Sequence, residues 1–196
     1  MFAAALPLAE QFAQLLASEA TVRGLIGPRE VPRLWERHLL NCAVVTELMA
    51  ADATVCDVGS GAGLPGIALA IRRPDLRVTL LEPLLRRTAF LELAVAELGL
   101  QNVVVRRGRA EETKELQFDV VTSRAVAPMD RLARWSLPLT RGGGLFLAMK
   151  GSTAMAEVDQ HRSLIHRLGG REISVESVGE RWLRDPVTVV RTVKAS

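Results

Sequence analysis

An acidic residue, Asp57, closes a short apolar run, and glycines then fall at 59, 61, 63 and 66. A strand that turns sharply into a helix needs such a loop, because backbone without Cβ atoms can turn tightly and approach a bound nucleotide. Twenty-three residues beyond Gly59 a second acid, Glu82, follows another β-branched run (Arg77 to Leu81). That is close to the spacing at which a carboxylate accepts hydrogen bonds from ribose hydroxyls. Its competing reading is a solvated charge beside Pro83, where a helix start favours Glu. A third run leads into Gly108-Arg109-Ala110-Glu111-Glu112, where backbone groups of Ala110 would bond a nucleobase. A fourth ends in Thr122-Ser123-Arg124, a cation at the strand end.

The segment Gly61-Ala62-Gly63-Leu64-Pro65-Gly66 also fits G-x-G-x-x-G, a pattern that by itself is weak. Counted from the strand end, however, the register is G-x-G-x-G starting at Gly59, with Gly66 already inside the following helix. A dinucleotide seats its pyrophosphate on that helix N-terminus, whereas S-adenosylmethionine has no pyrophosphate and carries a sulfonium and an ammonium, which suit an acidic strand end. The register favours S-adenosylmethionine, with Asp57, Gly59, Gly61 and Gly63 as cofactor contacts; a nicotinamide cofactor is the alternative. The fourth strand end lacks the Asn or Asp-Pro-Pro-aromatic tetrapeptide of exocyclic-amine methyltransferases.

Arg124 and Lys150 end successive strands on the side where ligands of open α/β sheets bind. Each is a candidate to hold a phosphate or a base edge; for Lys150 the competing reading is a solvated strand-end lysine. His38 is weighed between the active site and a structural hydrogen bond or exposed surface, while His161 and His166 read as helix surface. Arg33, Arg37, Arg86 and Arg87 would extend a basic footprint that grips a polyanion and makes its binding salt-sensitive, or are solvated helix charges. Trp35 and Trp135 read as core, with stacking on an extruded base as the alternative.

The elements that must position these residues follow from periodicity. Apolar positions Leu8, Phe12, Leu15 and Leu16 mark a helix within residues 5–20, and Pro32 to Met49 repeats the pattern after Gly27-Pro28. From Thr54 the texture changes to β-branched runs at Val55 to Val58, Val78 to Leu81, Val103 to Val105, Asp119 to Thr122 and Leu145 to Met149. Helical stretches separate them, notably Leu84 to Leu98 closed by Gly99. Such alternation implies βαβ units and a parallel sheet with helices on both faces. After a further helix at Met155 to Leu168, the stretches Ile173 to Val178 and Val187 to Val193 are expected to pair as an antiparallel hairpin at one edge. The expected class is α/β, a Rossmann-like fold with a mostly parallel seven-stranded sheet and an N-terminal helical extension (1–50) before one compact domain (51–196).

Composition sets bounds without choosing among functions. At 196 residues, 48% hydrophobic and 24% charged, the chain has the makings of one well-packed core and lies far from disordered or fibrous sequences. No run of eighteen apolar residues occurs, and the start lacks a basic leader region, so a cytoplasmic protein with no membrane segment is expected. Cys42 and Cys56 match no metal or redox spacing and are expected to be reduced, Cys56 as a small apolar side chain in a buried strand; no metal is expected. A net charge of +3 permits a polyanionic partner without demanding one. Five Phe, three Trp and no Tyr leave no aromatic platform of the kind single-strand binding domains use.

The chain resembles the RsmG (GidB) methyltransferases, which modify N7 of one guanosine in bacterial small-subunit (16S) ribosomal RNA. The matching segments are Leu34-Trp35-Glu36-Arg37-His38, Asp57 through Ile67, Ser123-Arg124-Ala125 and Ala148-Met149-Lys150-Gly151. Family members often have Phe where this chain has Val126, and the stretch from Trp182 onward is not matched in detail. The resemblance implies cofactor contacts at Gly59, Leu64, Ala110, Glu111 and Arg124, with Glu82 at the ribose. It implies small-subunit ribosomal RNA or the ribosomal subunit as partner; a monomer is expected. Guanine N7 has a lone pair and no proton, so no general base is required. The competing functions are a small-molecule methyltransferase of the same fold and a non-catalytic RNA-binding assembly factor.

Overall fold

The computed structural model describes every residue except Lys114, Ala125 and Val126, so the last residue of Ser123-Arg124-Ala125 lies outside the described residues. Seven strands form one sheet in the order β3-β2-β1-β4-β5-β7-β6. They are β1 (Thr54–Val58), β2 (Arg77–Glu82), β3 (Val103–Arg107), β4 (Phe118–Arg124), β5 (Thr140–Lys150), β6 (Gly170–Val178) and β7 (Val187–Lys194). The first five run parallel, and β7 enters antiparallel between β5 and β6. The expected C-terminal hairpin is therefore present, with β6 at the edge. β5 starts five residues before the run read from sequence. Gly142, Gly143 and Gly144 hide its beginning, and a side chain at Gly144 would sit 2.7 Å from the Asp119 carbonyl.

Alternation along the central strands sorts the helices onto two faces. Val55, Val78, Leu80, Leu147 and Val189 pack with α1 (Leu6–Leu15), α2 (Asn41–Ala43), α3 (Gly66–Arg72) and α4 (Leu85–Glu97). Their neighbours Phe146, Ala148 and Val190 pack with α5 (Met129–Ser136) and α6 (Ala154–Arg167). Helix α5 is absent from the sequence reading, because eight residues behind Pro128 give barely two turns of periodic signal.

The N-terminal region is a working part of this core. Phe12, Leu16, Leu39 and Val44 share one apolar cluster with Ile67 and Leu69 of α3. Its second half winds unevenly: tight turns at Pro28–Arg33, wide π turns at Leu34–Leu40, then α2 and further tight turns at Val44–Leu48. Wide turns of this kind recur at functional sites, and here they bring His38 and Cys42, one turn apart, to the same neighbour. No helix among the described residues is long and apolar enough to cross a membrane.

Leu80 is fully buried in β2 beneath the start of α3. Leu80→Ala is expected to lower the unfolding free energy by about 2–5 kcal/mol in urea denaturation; a loss under about 1 kcal/mol would contradict the packing described.

Candidate active site

Two buried carboxylates shape the glycine loop. Asp57 is fully buried, and its Oδ2 accepts the Gly66 N–H at 2.9 Å, fixing the first turn of α3. A side chain at Gly66 would lie 2.2 Å from Leu80 and 2.8 Å from the same carboxylate oxygen, so glycine is required there by close approach. Glu82, 1% exposed, accepts the Gly61 N–H at 3.0 Å through Oε2 and the Leu84 N–H at 3.1 Å through Oε1. Gly61 donates that bond from a left-handed conformation, φ +57°. Loop and helix α4 are thus tied to one side chain at the end of β2.

This arrangement separates the two cofactor readings. The carboxylate of Asp57 already occupies the Gly66 N–H, where a dinucleotide would place its pyrophosphate. Burial pushes the Asp57 carboxyl up to about 7, with the Gly66 hydrogen bond opposing and the nearby Glu82 adding to the rise. Its Oδ1 has no partner among the described residues. Asp57 has no exposed surface and shapes the loop from within. A side chain at Gly63 would meet Ile67 at 2.5 Å, so glycine is required there by packing of the loop on α3.

Three adjoining cavities line the carboxyl edge. The first, about 260 Å³, is walled by Gly59, Glu82, Leu84, Ala110, Glu111 and Trp135, among others. Largely apolar walls with the buried Glu82 carboxylate fit a nucleoside, since each carboxylate oxygen of Glu82 retains a lone pair beyond its backbone bond. Trp135, read from sequence as core, is half-buried and reaches this wall from α5, donating its Nε1–H to Glu111 at 2.5 Å. Trp35 is half-buried against the apolar core, edge-on to Phe2. Arg87 also lines the first cavity and lies 3.7 Å from Glu82, so it belongs to this wall and not to a distant basic face.

The middle cavity, about 290 Å³, joins Gly59, Gly61 and Leu64 to Glu30, His38 and Arg124. The outer cavity, about 500 Å³, shares Glu30, His38 and Arg124 and adds Arg37, Asn41, Lys150 and Glu157. Arg124 is the hinge between them. Its guanidinium donates through Nη1 to the Cys42 sulfur at 3.1 Å and through Nη2 to His38 Nδ1. An arginine only donates, so His38 Nδ1 must accept, and its Nε2–H donates to Glu30 at 2.8 Å. Burial, with Arg124 adding, holds the His38 imidazolium below its ordinary range against the opposing pull of Glu30.

Lys150 is not the solvated lysine of its alternative reading. Its ammonium is largely buried, 2.6 Å from Glu157 and 3.4 Å from the Ala127 carbonyl. Burial opposes ionisation of Glu157, but hydrogen bonds from Lys150 and Thr153 outweigh it and hold the carboxyl below its usual range. Glu30, Cys42 and Glu157 carry no motif that sequence reasoning could find; only the folded chain shows that they surround Arg124 and Lys150. Arg33 lines a further groove with Arg37, Glu36 and Arg184.

Comparison with known proteins agrees with this geometry. A family model described as rRNA small subunit methyltransferase G matches residues 5–185. The chain is 54% identical to the ribosomal RNA small subunit methyltransferase G of Salinispora tropica, covering 99% of this chain and 84% of that one. It is 58% identical to that of Streptomyces avermitilis over 93% and 78%. Among solved structures, the S-adenosylmethionine-dependent methyltransferase SibL superposes with a TM-score of 0.65 at 19% identity, covering 87% of this chain and 60% of that one. Precorrin-6y C5,15-methyltransferase of Geobacter metallireducens gives 0.56 at 16% identity, over 87% and 90%. These structural likenesses show the fold.

The raised Asp57 carboxyl makes a signed prediction. Its unfolded value lies near 3.8 and its folded value near 7, so wild-type protein loses stability from this group as pH rises through that window. Asp57→Asn keeps an acceptor for Gly66 and cannot ionise. Its stability relative to wild type should therefore increase by about 2 kcal/mol between about pH 5 and pH 8 in urea denaturation. A constant difference would show that the wild-type carboxyl is ionised throughout.

Proposed function

Because the chain belongs to the rRNA small subunit methyltransferase G family, we propose that it transfers a methyl group from S-adenosylmethionine to N7 of one guanosine in 16S ribosomal RNA. It is an S-adenosylmethionine-dependent methyltransferase. We read it as a monomer in which residues 1–50 are a helical extension of the methyltransferase domain 51–196, the two sharing one core. The observation that carries the acceptor reading is Arg124, which stands in the walls of both the glycine-loop cavity and the outer cavity.

When bound, S-adenosylmethionine supplies a methyl carbon on a cationic sulfur, and the electrons of the broken C–S bond leave with that sulfur. Gly59, Gly61, Leu64, Glu82, Ala110, Glu111 and Arg124 would hold it, Glu82 at the ribose and the Ala110 backbone at the adenine, with Asp57 and Gly63 shaping the loop around it. Arg124 and Lys150 line the outer cavity, where they would hold the guanine edge or a phosphate of the RNA. Arg124 cannot donate to N7 itself, because that bond would occupy the lone pair that must attack the methyl carbon; O6 or a phosphate oxygen is the compatible acceptor.

A site for N7 needs no proton acceptor, and two groups of the outer cavity that could act as one, His38 and Glu157, are already engaged. His38 has Nδ1 taken by Arg124 and its remaining N–H on Glu30. The Lys150 ammonium and Glu157 carboxylate hold one another. Catalysis then falls to near-attack positioning and exclusion of water.

Methyl incorporation into small ribosomal subunits or naked 16S RNA, followed by mass spectrometry of the RNA, tests the reading. A methyl located on guanine N7 is expected, and no incorporation into either would refute it. Arg124→Ala should lower transfer by about 100-fold or more. Glu82→Ala should weaken S-adenosylhomocysteine binding by about 10- to 100-fold in calorimetry.

A further inference from the structure

We infer that Glu30 and His38 are positioning residues for methyl transfer, acting as a relay that fixes Arg124 at the junction of the two cavities while leaving its charge uncancelled. The inference rests on the reading of Arg124 as an acceptor-binding residue and extends it to two side chains of the N-terminal region.

The argument begins with what holds the guanidinium. A half-buried arginine at a strand end ordinarily meets a carboxylate, which fixes it and cancels its charge. Among the described residues no carboxylate pairs with Arg124. The two groups that receive its hydrogen bonds are a thiol sulfur and an imidazole nitrogen, both neutral. The carboxylate is displaced by one residue: Glu30 accepts the far side of the imidazole at 2.8 Å and also faces Arg37 at 3.9 Å. Orientation thus passes from Glu30 through His38 to Arg124, while the cation keeps its attraction for an electron-rich group in the cavity.

The tautomer makes the relay conditional. His38 must carry its proton on Nε2 and leave Nδ1 free to accept. A proton on Nδ1 would turn a donor and a like charge toward Arg124. The charged and titratable groups around His38 are Glu30 and Arg37 from its own region, Arg124 from β4, and Lys150 with Glu157 across the outer cavity. Cys42 takes the other Arg124 hydrogen bond, and the buried Asp57 acts on both Cys42 and Arg124 without a direct contact to either. Burial keeps the imidazole neutral, whereas Glu30 favours its protonation.

Three variants of the full chain test the relay by methyl incorporation into small subunits at several pH values, with S-adenosylhomocysteine calorimetry alongside. In wild type, kcat should hold through the ordinary imidazole range and fall only at lower pH, because burial keeps the His38 imidazolium below that range. His38→Leu should lower kcat by about 10- to 100-fold. His38→Asn, whose amide oxygen can replace Nδ1 as acceptor and does not titrate, should recover most of that loss and flatten the acid limb. Glu30→Gln keeps an acceptor for the imidazole but removes the charge, so it should move the acid limb to lower pH; this readout survives if His38→Leu fails to fold. The relay is overturned if His38→Leu stays within about twofold of wild type, if His38→Asn is no better than His38→Leu, or if Glu30→Gln leaves the limb in place. Absence of transfer by wild type itself would instead refute the functional reading on which the relay rests.

Discussion

The hydrogen bond from the Gly66 amide to the buried Asp57 carboxylate is the constraint on which the cofactor site depends. It joins the end of β1 to the first turn of α3 and so fixes how much chain remains for the loop between them. That loop must then turn through Gly59, Gly61 and Gly63 with positive φ, and Glu82 closes it from the neighbouring strand through the Gly61 amide. The same bond takes up the Gly66 N–H, the donor at the start of α3 that a pyrophosphate would need.

Beyond the loop, the site is a study in cations that differ in how they are held. Lys150 is paired directly with Glu157, so its charge is largely spent within the protein. Arg124 is steered by neutral atoms, and the Glu30 carboxylate reaches it only through His38. Two strand-end cations that look alike in sequence therefore present different fields to a ligand. The N-terminal region contributes Glu30, His38 and Cys42 to this arrangement, which gives the extension a part in the site as well as in the core.

The glycine loop and the sheet were legible because their signals are local. Glycine spacing, an acid at each of two strand ends and period-two apolar runs report on residues close in the chain. The losses were equally physical. Helix α5 was too short to show a period, and the glycines at 142–144 masked the start of β5. Asp57 and Gly63 were legible as members of the loop, but their burial was not, since type and spacing cannot say which way an atom faces.

By itself the sequence determined the fold class, the register of the cofactor loop and, through Leu64-Pro65-Gly66 and Ser123-Arg124, the family resemblance. Each depends on neighbours within a few residues or on a pattern repeated along one element. Only the tertiary structure decided that Asp57 holds the loop from within, that Trp135 walls the nucleoside cavity, and that Arg124 rests on His38 and Cys42. Those contacts join residues 86 and 82 positions apart for Arg124. No local propensity encodes such pairings, because they exist only once β4 and the N-terminal turns are packed on the same sheet face.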